Sequence, residues 1–345
     1  MSAGAGTAII RTMTIAHVTE QCAGAETPDA KSRPTGGEPE PQRPNSPDCP
    51  NSPNSPQCPG CTDCPRCLDQ AVLLSVVVPV LHEAHRIADL AGHVRALAAE
   101  LPLATVELVV ADGAPEGDTL AALMAVMGKD ARQVAATMPG KDVSGTDLSV
   151  RVVAAPRGRA RQMNAGAAVA RGRVLLFLHA DTRLPDGAFP AVLRVLGVST
   201  HPSGGEDAET DAGAAASASA GAFALSIDAP GAWFRVVEAL ANLRNRLTRT
   251  PYGDQAQFFQ AGLFRAMGGY PDQPLMEDVE IMRRLRGTGE PLALLDLRAV
   301  TSARRWRDEG AVRCTLRNIC LRLLYALGVP AQILARWYRA RKGAS

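Results

Sequence analysis

The chain has 345 residues, 46% of them apolar, and its 37 Lys and Arg against 35 Asp and Glu give a formal net charge of +2. This near-neutral balance lacks the electrostatic footprint of a nucleic-acid-binding protein, so no nucleic acid is expected as a partner. A bilayer-spanning helix needs about 18 consecutive apolar residues, and the longest candidate, 71–81, is shorter and contains Ser75. The N-terminal stretch lacks the basic start and apolar run of a signal peptide, which predicts a cytoplasmic protein.

Residues 1–70 differ in composition from the rest of the chain. Prolines alternate there with polar residues in the near-repeat NSPDCP, NSP, NSPQCP, which leaves too little apolar surface to offset the entropy of ordering. We therefore predict a disordered leader. It ends in Cys58, Cys61, Cys64 and Cys67, whose spacing fits either a zinc or iron–sulfur site with a redox or sensing role, or low-complexity drift. Because the cytoplasm keeps thiols reduced, the eight cysteines do not predict a disulfide framework.

From Leu73 onward, four short apolar runs, each followed by polar or helix-like spacing, predict an α/β domain with a mainly parallel sheet. The first run, LLSVVVPV, is rich in β-branched residues and is expected to be a strand buried on both faces. Helical spacing follows it from Ile87 to Leu97. The stretches 128–147 and 203–221 are poor in large apolar residues and are expected to be surface insertions. The other three runs lie at 106–110, 150–154 and 174–178.

Charged side chains follow these runs, at the strand ends where ligands bind in an open parallel sheet. Gathering several carboxylates and several guanidiniums at one rim costs free energy, because like charges repel. A divalent metal and the anionic phosphates of a nucleoside diphosphate would compensate this repulsion. Neither GxGxxG after a strand nor GxxxxGK[ST] is present, so a dinucleotide fold or a P-loop is not expected. The residues at these strand ends are His82, Glu83, Asp112, Arg157, Arg159, Arg161, His179 and Asp181.

Eight segments carry a resemblance to a known family. They are VVVPVLHEAHRI, VELVVADG, APRGRARQMNAGA, VLLFLHADTRLP, YGDQAQFF, MGGYP, PLMEDVEIMRRL and TSARRW. In these segments the chain resembles the family-2 glycosyltransferases of the GT-A fold, in particular a compact bacterial branch found beside radical-SAM and selenium-related genes. The resemblance runs from about Leu74 to Tyr338. It implies a hexosyltransferase-like, inverting, metal-dependent enzyme that moves a sugar from a nucleotide-sugar donor to an acceptor.

The resemblance also implies a role for each matching residue on the donor side. Glu83 and Asp112 would contact the nucleoside, and Arg161 and Asn164 would line the donor site. Asp181 would hold Mg²⁺ or Mn²⁺ against the diphosphate.

Asp278 would be the general base that takes a proton from the acceptor. Glu277 precedes this base, and Arg305 and Trp306 resemble the end of a motif that some members place over the acceptor and the diphosphate. Asp254 and Gln255, in a predicted turn, are also expected on the acceptor side.

Three positions depart from the pattern of the family. His82 stands where Asn is usual, His179 replaces the first acid of the metal motif, and Ser302 replaces a Gln. Metal binding is then expected to be weaker or to depend more on the diphosphate oxygens. These departures support an alternative, a non-catalytic nucleotide- or membrane-binding protein on a degenerate GT-A scaffold.

Each candidate residue also has a purely structural interpretation. Asp278 can serve as an acid in a first helical turn, which favours the helix macrodipole. Asp181 can cap a helix, and Asp112 before a glycine is an ordinary turn residue. The arginines of 157–161 can form a solvated face, and a hydrogen bond from His179 to a backbone carbonyl is preferred over metal ligation.

Residues 311–345 contain seven basic residues and no acidic one, and their leucines and isoleucines fall on one helical stripe. Such a segment fits either the surface of an anionic membrane or a helix packed on the domain with its arginines in water, and both interpretations are open. We therefore expect three parts: the leader 1–70, the glycosyltransferase domain 71–310 and a basic amphipathic segment 311–345. The last favours a lipid-like acceptor and a cytoplasmic protein peripheral to the inner face of the cell membrane.

Overall fold

The computed structural model describes residues 72–101, 105–114, 118–127, 142–143, 148–199 and 217–340. The expected disordered leader with its four spaced cysteines lies outside the described residues, as does most of both expected insertions. The predictions made for these segments stay predictions, and so do the exact domain boundaries.

The first half of the described chain begins the alternation of strands and helices. Its elements are β1 Leu74–Val80, α1 Ala84–Ala98, β2 Val106–Asp112, α2 Asp118–Met127, β3 Asp142–Val143, β4 Ser149–Ala154, α3 Arg159–Val169, β5 Val174–Phe177, β6 Thr182–Arg183 and α4 Ala188–Val195. The elements of the second half are β7 Ala220–Asp228, α5 Ala232–Thr248, a 3₁₀ turn Gly253–Gln255, β8 Phe258–Gln260, α6 Ala261–Ala266, α7 Glu277–Thr288, β9 Leu292–Ser302, α8 Arg304–Glu309, α9 Ala311–Ala326 and α10 Ala331–Ala340.

The strands form one sheet in the order β3-β4-β2-β1-β5-β8-β7-β9-β6. The parallel pairs β1–β2, β2–β4, β1–β5 and β7–β9 are each longer than any of the antiparallel pairs. The prediction of an α/β fold with a mainly parallel sheet and flanking helices is therefore confirmed. The short strand β8 runs antiparallel to both β5 and β7 near the middle of the sheet, a feature that the sequence pattern did not predict.

The core lies on both faces of β1 and β2, which explains why the first run is apolar without alternation. Val76 and Val78 pack with Ile87 of α1 on one face, whereas Val77 packs with Met163 of α3 on the other. Each fully buried aliphatic side chain of this kind contributes about 1.5–3 kcal/mol to the free energy of folding. The predicted helical stripe is buried as expected, and its members are Ile87, Leu90, Val94 and Leu97.

Helix α3 approaches the sheet closely because Gly166 has no side chain. A Cβ atom at this position would lie 2.5 Å from Cγ1 of Val77, too close for a stiff β-branched neighbour to accommodate without moving. One turn earlier, the Gln162 amide donates hydrogen bonds to the carbonyl oxygens of Val80 and Ala111. Together these contacts hold the first turn of α3 above the carboxyl ends of β1 and β2.

The expected C-terminal helical segment is present as α9 and α10. These helices bury Cys314, Leu321 and Leu334 against the rest of the chain. Within the described ranges, none of the helices combines the length and the apolar character needed to cross a bilayer.

Candidate functional site

The carboxyl ends of the central parallel strands meet at one edge of the sheet. Val80 at the end of β1 pairs with Asp112 at the end of β2, and Asp112 also pairs with Ala154 at the end of β4. Beside β1, strand β5 ends at Phe177, so the next residues, His179 to Asp181, emerge at the same edge. The topology thus places four of the predicted polar strand ends on one rim.

Three segments that are distant in the sequence converge at this rim around Gly253. The Gly253 N–H donates a 2.8 Å hydrogen bond to Oδ2 of Asp278. A Cβ atom at Gly253 would lie 3.3 Å from Nε2 of His179 and 3.4 Å from Oδ2 of Asp278. The absence of a side chain at Gly253 is therefore what lets the histidine and the aspartate approach the same turn.

The backbone is strained on both segments that bring these groups together. Met276, immediately before α7, has a φ of 64°, and Ala256, immediately after the 3₁₀ turn, has a φ of 48°. Non-glycine residues adopt this left-handed conformation only at a cost in free energy of about 1–2 kcal/mol each. Such strain concentrates at functional sites, which agrees with the convergence of groups at Gly253.

Arg159 supplies the positive charge of the site. Its Nη1 lies 3.4 Å from Oε1 of the buried Glu277, and its side chain is 38% exposed. Partial desolvation by itself would lower the pKa of Arg159, but nearby carboxylates outweigh it and raise the pKa above its ordinary value. Burial raises the pKa of Glu277 even though Arg159 lies beside it. The carboxylates that surround Arg159 are, in order of effect, Glu277, Asp278, Asp254 and Asp181.

Arg161, which the resemblance places along the donor site, projects from a different side of α3 than Arg159, and its donor-site role stays a prediction. Arg161 donates from Nε and Nη2 to the exposed Asp272, at 2.8 and 2.9 Å. Side chains two positions apart on a helix point in directions that differ by about 200° around the helix axis, so Arg159 and Arg161 cannot both face the rim. Sequence reasoning treated Arg159 only as one of a basic run, although its place at the first turn of α3 was the signal that could have singled it out.

Asn164 also has a structural role that differs from the predicted donor-site contact. Its Nδ2 donates to the carbonyl oxygen of Tyr270 at 2.8 Å, and its Oδ1 accepts from the Tyr270 N–H at 2.9 Å. This two-way link fastens α3 to the turn before α7, which begins with Glu277. Asn164 is therefore a positioning residue for the segment that carries Asp278.

Gln255 likewise supports the backbone. It is fully buried, its Nε2 donates to the carbonyl oxygen of Phe223, and its Oε1 accepts from the N–H of Tyr252, both at 2.9 Å. The side chain holds the 3₁₀ turn in place and is buried, and its acceptor-side contact stays a prediction. Its neighbour Asp254 instead belongs to the carboxylate cluster around Arg159.

The predicted pair Arg305 and Trp306 separates in the structure. Arg305 is exposed, yet it lies close enough to the rim to lower the pKa of His179. The Trp306 ring packs edge-on against Phe234 with a centroid distance of 6.3 Å, and its Nε1 is 3.4 Å from Oγ1 of Thr315. Arg305 thus remains a site candidate, whereas Trp306 joins α8 to two neighbouring helices.

Glu83 and Asp112 lie at the ends of β1 and β2. The backbone N–H of Glu83 donates to Oγ1 of Thr119, and its carboxylate accepts from Arg86 at 3.1 Å. Asp112 is 1% exposed and accepts a 2.8 Å hydrogen bond from the N–H of Ala114. Oδ1 of Asp112 therefore stabilises the turn after β2, as its structural interpretation expects. The contact of Glu83 and Asp112 with a nucleoside stays a prediction.

His179 is held as a neutral imidazole. Burial lowers its pKa well below the ordinary value, and the charges of Arg159 and Arg305 lower it further. Its buried Nε2 has no hydrogen-bond partner within the described ranges, so the backbone hydrogen bond expected for His179 is not made by this atom. With its proton on Nδ1, the imidazole presents the Nε2 lone pair within this buried site.

The site offers a divalent cation only part of a coordination shell. In the described portion of the chain, no group of three or more His, Cys, Asp or Glu side chains is arranged to hold a metal. The unpaired Nε2 of His179 and the carboxylate of Asp181 nevertheless suit a metal such as Mn²⁺, whose remaining ligands would be diphosphate oxygens and water. The residues therefore fit a cation that is held jointly with a nucleotide, and the weaker or diphosphate-dependent binding expected from the departure at His179 stays a prediction.

Next to Gly253, the ring of Tyr252 lies between two arginines. The Cζ atom of Arg244 on α5 is 3.7 Å from the ring centroid, and that of Arg322 on α9 is 4.1 Å from it. Burial lowers the pKa of Arg244 to about 10, and burial together with Arg244 lowers that of Arg322 to about 9. Nε of Arg244 and the hydroxyl of Tyr252 are buried without a hydrogen-bond partner among the described residues. Sequence reasoning missed this group, because only the tertiary structure brings α5 and α9 together.

Asp254→Asn is expected to stabilise the protein more at neutral than at acidic pH. Burial first and then Asp278 raise the pKa of Asp254 from 3.8 to about 6, and its Oδ1 is buried without a partner among the described residues. The folded state therefore retains a proton that the unfolded state has lost, so the free energy of unfolding falls as pH rises from about 4 to about 6. Asparagine does not ionise, and the variant should avoid up to about 3 kcal/mol of this loss.

The measurement is thermal unfolding of parent and variant in metal-free buffer across this pH range. The exposed Asp308→Asn serves as the matched control. A difference in unfolding free energy between Asp254→Asn and the parent that does not grow with pH would contradict the assignment.

The family comparison matches part of the chain. Residues 75–198 match the family model described as Glycosyl transferase family 2. No curated protein matches the sequence. The matched range includes β1 to β5 and Asp181, but not Asp254 or Asp278.

Several solved structures are similar at low identity. A mannosyltransferase from Pyrobaculum calidifontis, solved with GDP-Man and Mn²⁺, is 20% identical, with 66% of this chain and 56% of that chain covered and a TM-score of 0.42. TarS residues 1–349 from S. aureus is 14% identical, with 67% and 60% covered and a TM-score of 0.44. Glucosyl-3-phosphoglycerate synthase from Mycobacterium tuberculosis, solved with Mn²⁺, UDP and phosphoglyceric acid, is 18% identical, with 77% and 84% covered and a TM-score of 0.44. The chain spans less than two thirds of the first two, and similarities of this level carry no argument about its substrate.

Proposed function

We propose that this chain is a family-2 glycosyltransferase of the GT-A fold, which transfers a sugar from a nucleotide-sugar donor to an acceptor with inversion. The observation that carries the proposal is the carboxylate cluster around Arg159 at the carboxyl edge of the sheet, beside an unpaired neutral imidazole. The match of residues 75–198 to the family model supports it. Specificity for a hexose and membership of the branch beside radical-SAM and selenium-related genes are finer parts of the same proposal.

Asp278 is the general base in this proposal. Its Oδ2 accepts from the N–H of Gly253 and its Oδ1 from the N–H of Val279, both at 2.8 Å, so two backbone groups fix the orientation of the carboxylate. The acceptor hydroxyl donates its proton to this carboxylate while its oxygen attacks the anomeric carbon from the face opposite the leaving diphosphate. The bond from the anomeric carbon to the diphosphate oxygen breaks, and inversion follows from the single displacement.

Asp181 and Nε2 of His179 would hold the divalent metal, Mg²⁺ or Mn²⁺. When bound, such a cation stabilises the negative charge that develops on the departing diphosphate. Arg159 contributes a positive charge that is already in place among Glu277, Asp278 and Asp254. Its fixed position reduces the reorganisation that accompanies charge separation in the transition state.

The acceptor is proposed to carry an anionic group. Arg244 and Arg322 place two like charges on opposite faces of Tyr252, and an anion such as a phosphate or carboxylate would relieve their repulsion. It would also satisfy the buried Nε of Arg244 and hydroxyl of Tyr252. Because Tyr252 precedes Gly253, this anion would lie beside Asp278, and a lipid-like acceptor with a charged head group fits the arrangement.

Arg322→Gln is expected to weaken the binding of inorganic phosphate at least about fivefold, since it removes one of two charge-assisted donors. Phosphate should raise the unfolding temperature of the parent, and the variant should need a correspondingly higher concentration for the same shift. The exposed Arg336→Gln is the matched control. Donor hydrolysis should be unchanged in both variants, so an equal phosphate response in parent and Arg322→Gln rejects the anion site without bearing on the enzyme.

The proposed function is tested by donor hydrolysis. Purified protein is incubated with labelled UDP-, GDP- and dTDP-sugars in the presence of Mg²⁺ or Mn²⁺, because transferases commonly hydrolyse their donor slowly when no acceptor is present. Release of sugar from one donor class, and its loss on chelation of the metal, is the expected result. A thermal-shift screen with the same nucleotide sugars identifies the donor that binds the native state.

A second candidate function is a non-catalytic nucleotide-binding protein on the same scaffold. The absence of a three-residue metal cluster in the described part of the chain favours it. Tight binding of a nucleotide without hydrolysis of any donor would select this candidate over the enzyme.

A further inference from the structure

The large apolar side chains that are exposed in the described part of the chain all lie on three helices. They range from 40% exposure at Trp233 and Ile333 to 81% at Leu327. We name them the apolar face. Its members are Trp233, Val236, Leu240, Leu243 and Leu247 on α5; Val312, Leu316, Ile319, Leu323 and Leu327 on α9 and its C-cap; and Ile333 and Trp337 on α10.

On both α5 and α9 these residues recur every three or four positions and so form a continuous stripe. The stripe lies opposite the side that packs on the domain. On α5 the buried side includes Glu238 and Asn245, and on α9 it includes Cys314 and Leu321. One side of α9 thus packs on the domain, as one interpretation of the C-terminal segment expects. The opposite side is exposed, as the membrane interpretation requires.

Helices α5 and α9 are bridged by two aromatic side chains from other segments, Trp306 and Tyr252. Near their N-terminal ends, Trp306 contacts Phe234 of α5 and Thr315 of α9. Further along, Arg244 and Arg322 stack on the two faces of Tyr252. Since the second contact follows the first in chain direction on both helices, the two helices run in the same general direction on either side of these bridging side chains. Two exposed apolar stripes of this length, bridged at two points, indicate an interaction site.

The charges around the apolar face identify the occupant. Helices α9 and α10 carry no acidic residue, and two of their arginines, Arg313 and Arg336, are exposed. On α5 the acidic residue is Glu238, which is 2% exposed, and the exposed Arg246 pairs with Asp296 at 3.0 Å. On α9 and α10, a second copy packed by two-fold symmetry would set arginines against arginines, because neither helix carries an acidic residue. An anionic lipid surface offers both an apolar interior and compensating charge.

We propose that the apolar face docks on the surface of an anionic lipid bilayer, with its leucines and tryptophans in the acyl boundary and its arginines at the head groups. Tyr252, which lies between α5 and α9, would then stand at the border of the membrane, next to Gly253 and Asp278. The docking does not depend on the proposed chemistry. The inner face of the cell membrane is the surface expected for a cytoplasmic protein.

The test is co-sedimentation of the full chain with vesicles made of equal parts phosphatidylglycerol and phosphatidylcholine, and with vesicles of phosphatidylcholine alone. The parent should bind the anionic vesicles, more weakly at high salt, and bind phosphatidylcholine less. The double variant Leu240→Ser, Leu323→Ser should lose about 10-fold or more in partition, because each leucine contributes apolar burial. Ala96→Ser with Ala99→Ser, exposed positions at the end of α1, is the matched control.

Three results would overturn the proposal. The first is a parent that stays in solution with both kinds of vesicle, and the second is a leucine double variant that binds as the parent does. The third is a parent dimer that the double variant converts to a monomer in sedimentation velocity, which would assign the apolar face to a second copy. Unfolding temperature and nucleotide binding, measured on all three proteins, verify that the substitutions leave the fold intact.

Discussion

Asp278→Asn is expected to lower the rate of sugar transfer by about 10²- to 10⁴-fold, the usual loss when a general base is removed. Nucleotide binding should remain close to that of the parent, because Asp278 acts on the acceptor. Asparagine keeps an oxygen that can accept the 2.8 Å hydrogen bond from the Gly253 N–H, so the 3₁₀ turn should keep its position. The measurement combines initial rates of transfer or donor hydrolysis with the nucleotide dissociation constant.

Asp272→Asn is the matched control for this variant. Asp272 is exposed and pairs with Arg161 at the surface, where such pairs contribute little to stability. Its transfer rate should stay near that of the parent. Transfer by Asp278→Asn at a comparable rate would remove Asp278 from the role of base.

Asp181→Ala is expected to abolish most of the metal dependence of nucleotide binding. With His179 in place of a second acid, Asp181 is the carboxylate that the metal motif retains, so the variant loses the only charged ligand of the proposed pair. We expect the affinity for the nucleotide in Mn²⁺ to fall at least about 10-fold, and the affinity in EDTA to change little. The readout is the nucleotide dissociation constant with and without the metal.

Asp186→Ala, an exposed position a few residues further along, is the matched control. It should bind nucleotide as the parent does in both conditions. A full metal effect in Asp181→Ala would assign the cation to other ligands, and the carboxylate cluster at Asp254 and Asp278 would be the next place to search.

The two sides of the site differ in how far local sequence could describe them. Asp181 and Asp112 follow strands whose apolar runs are evident, so their place at one rim follows from the parallel sheet. Asp278 lies in the first turn of a helix, and the local helical spacing is compatible with a carboxylate that points either into solvent or into a site. Only the contact with Gly253, 25 residues away, shows which of the two it faces.

The sequence by itself determined the α/β class, the buried central strands, the α1 stripe and the strand ends that carry His179 and Asp181. The alternation of strand-like and helix-like segments depends only on residues that are close in the sequence. The uninterrupted apolar composition of a strand indicates that it is buried on both faces. Only the tertiary structure decided that Arg159 instead of Arg161 faces the carboxylates, that Gln255 holds the backbone, that β8 runs antiparallel, and that arginines of α5 and α9 meet on Tyr252. These outcomes depend on helix rotation and on contacts between distant segments, which periodicity along the chain does not encode.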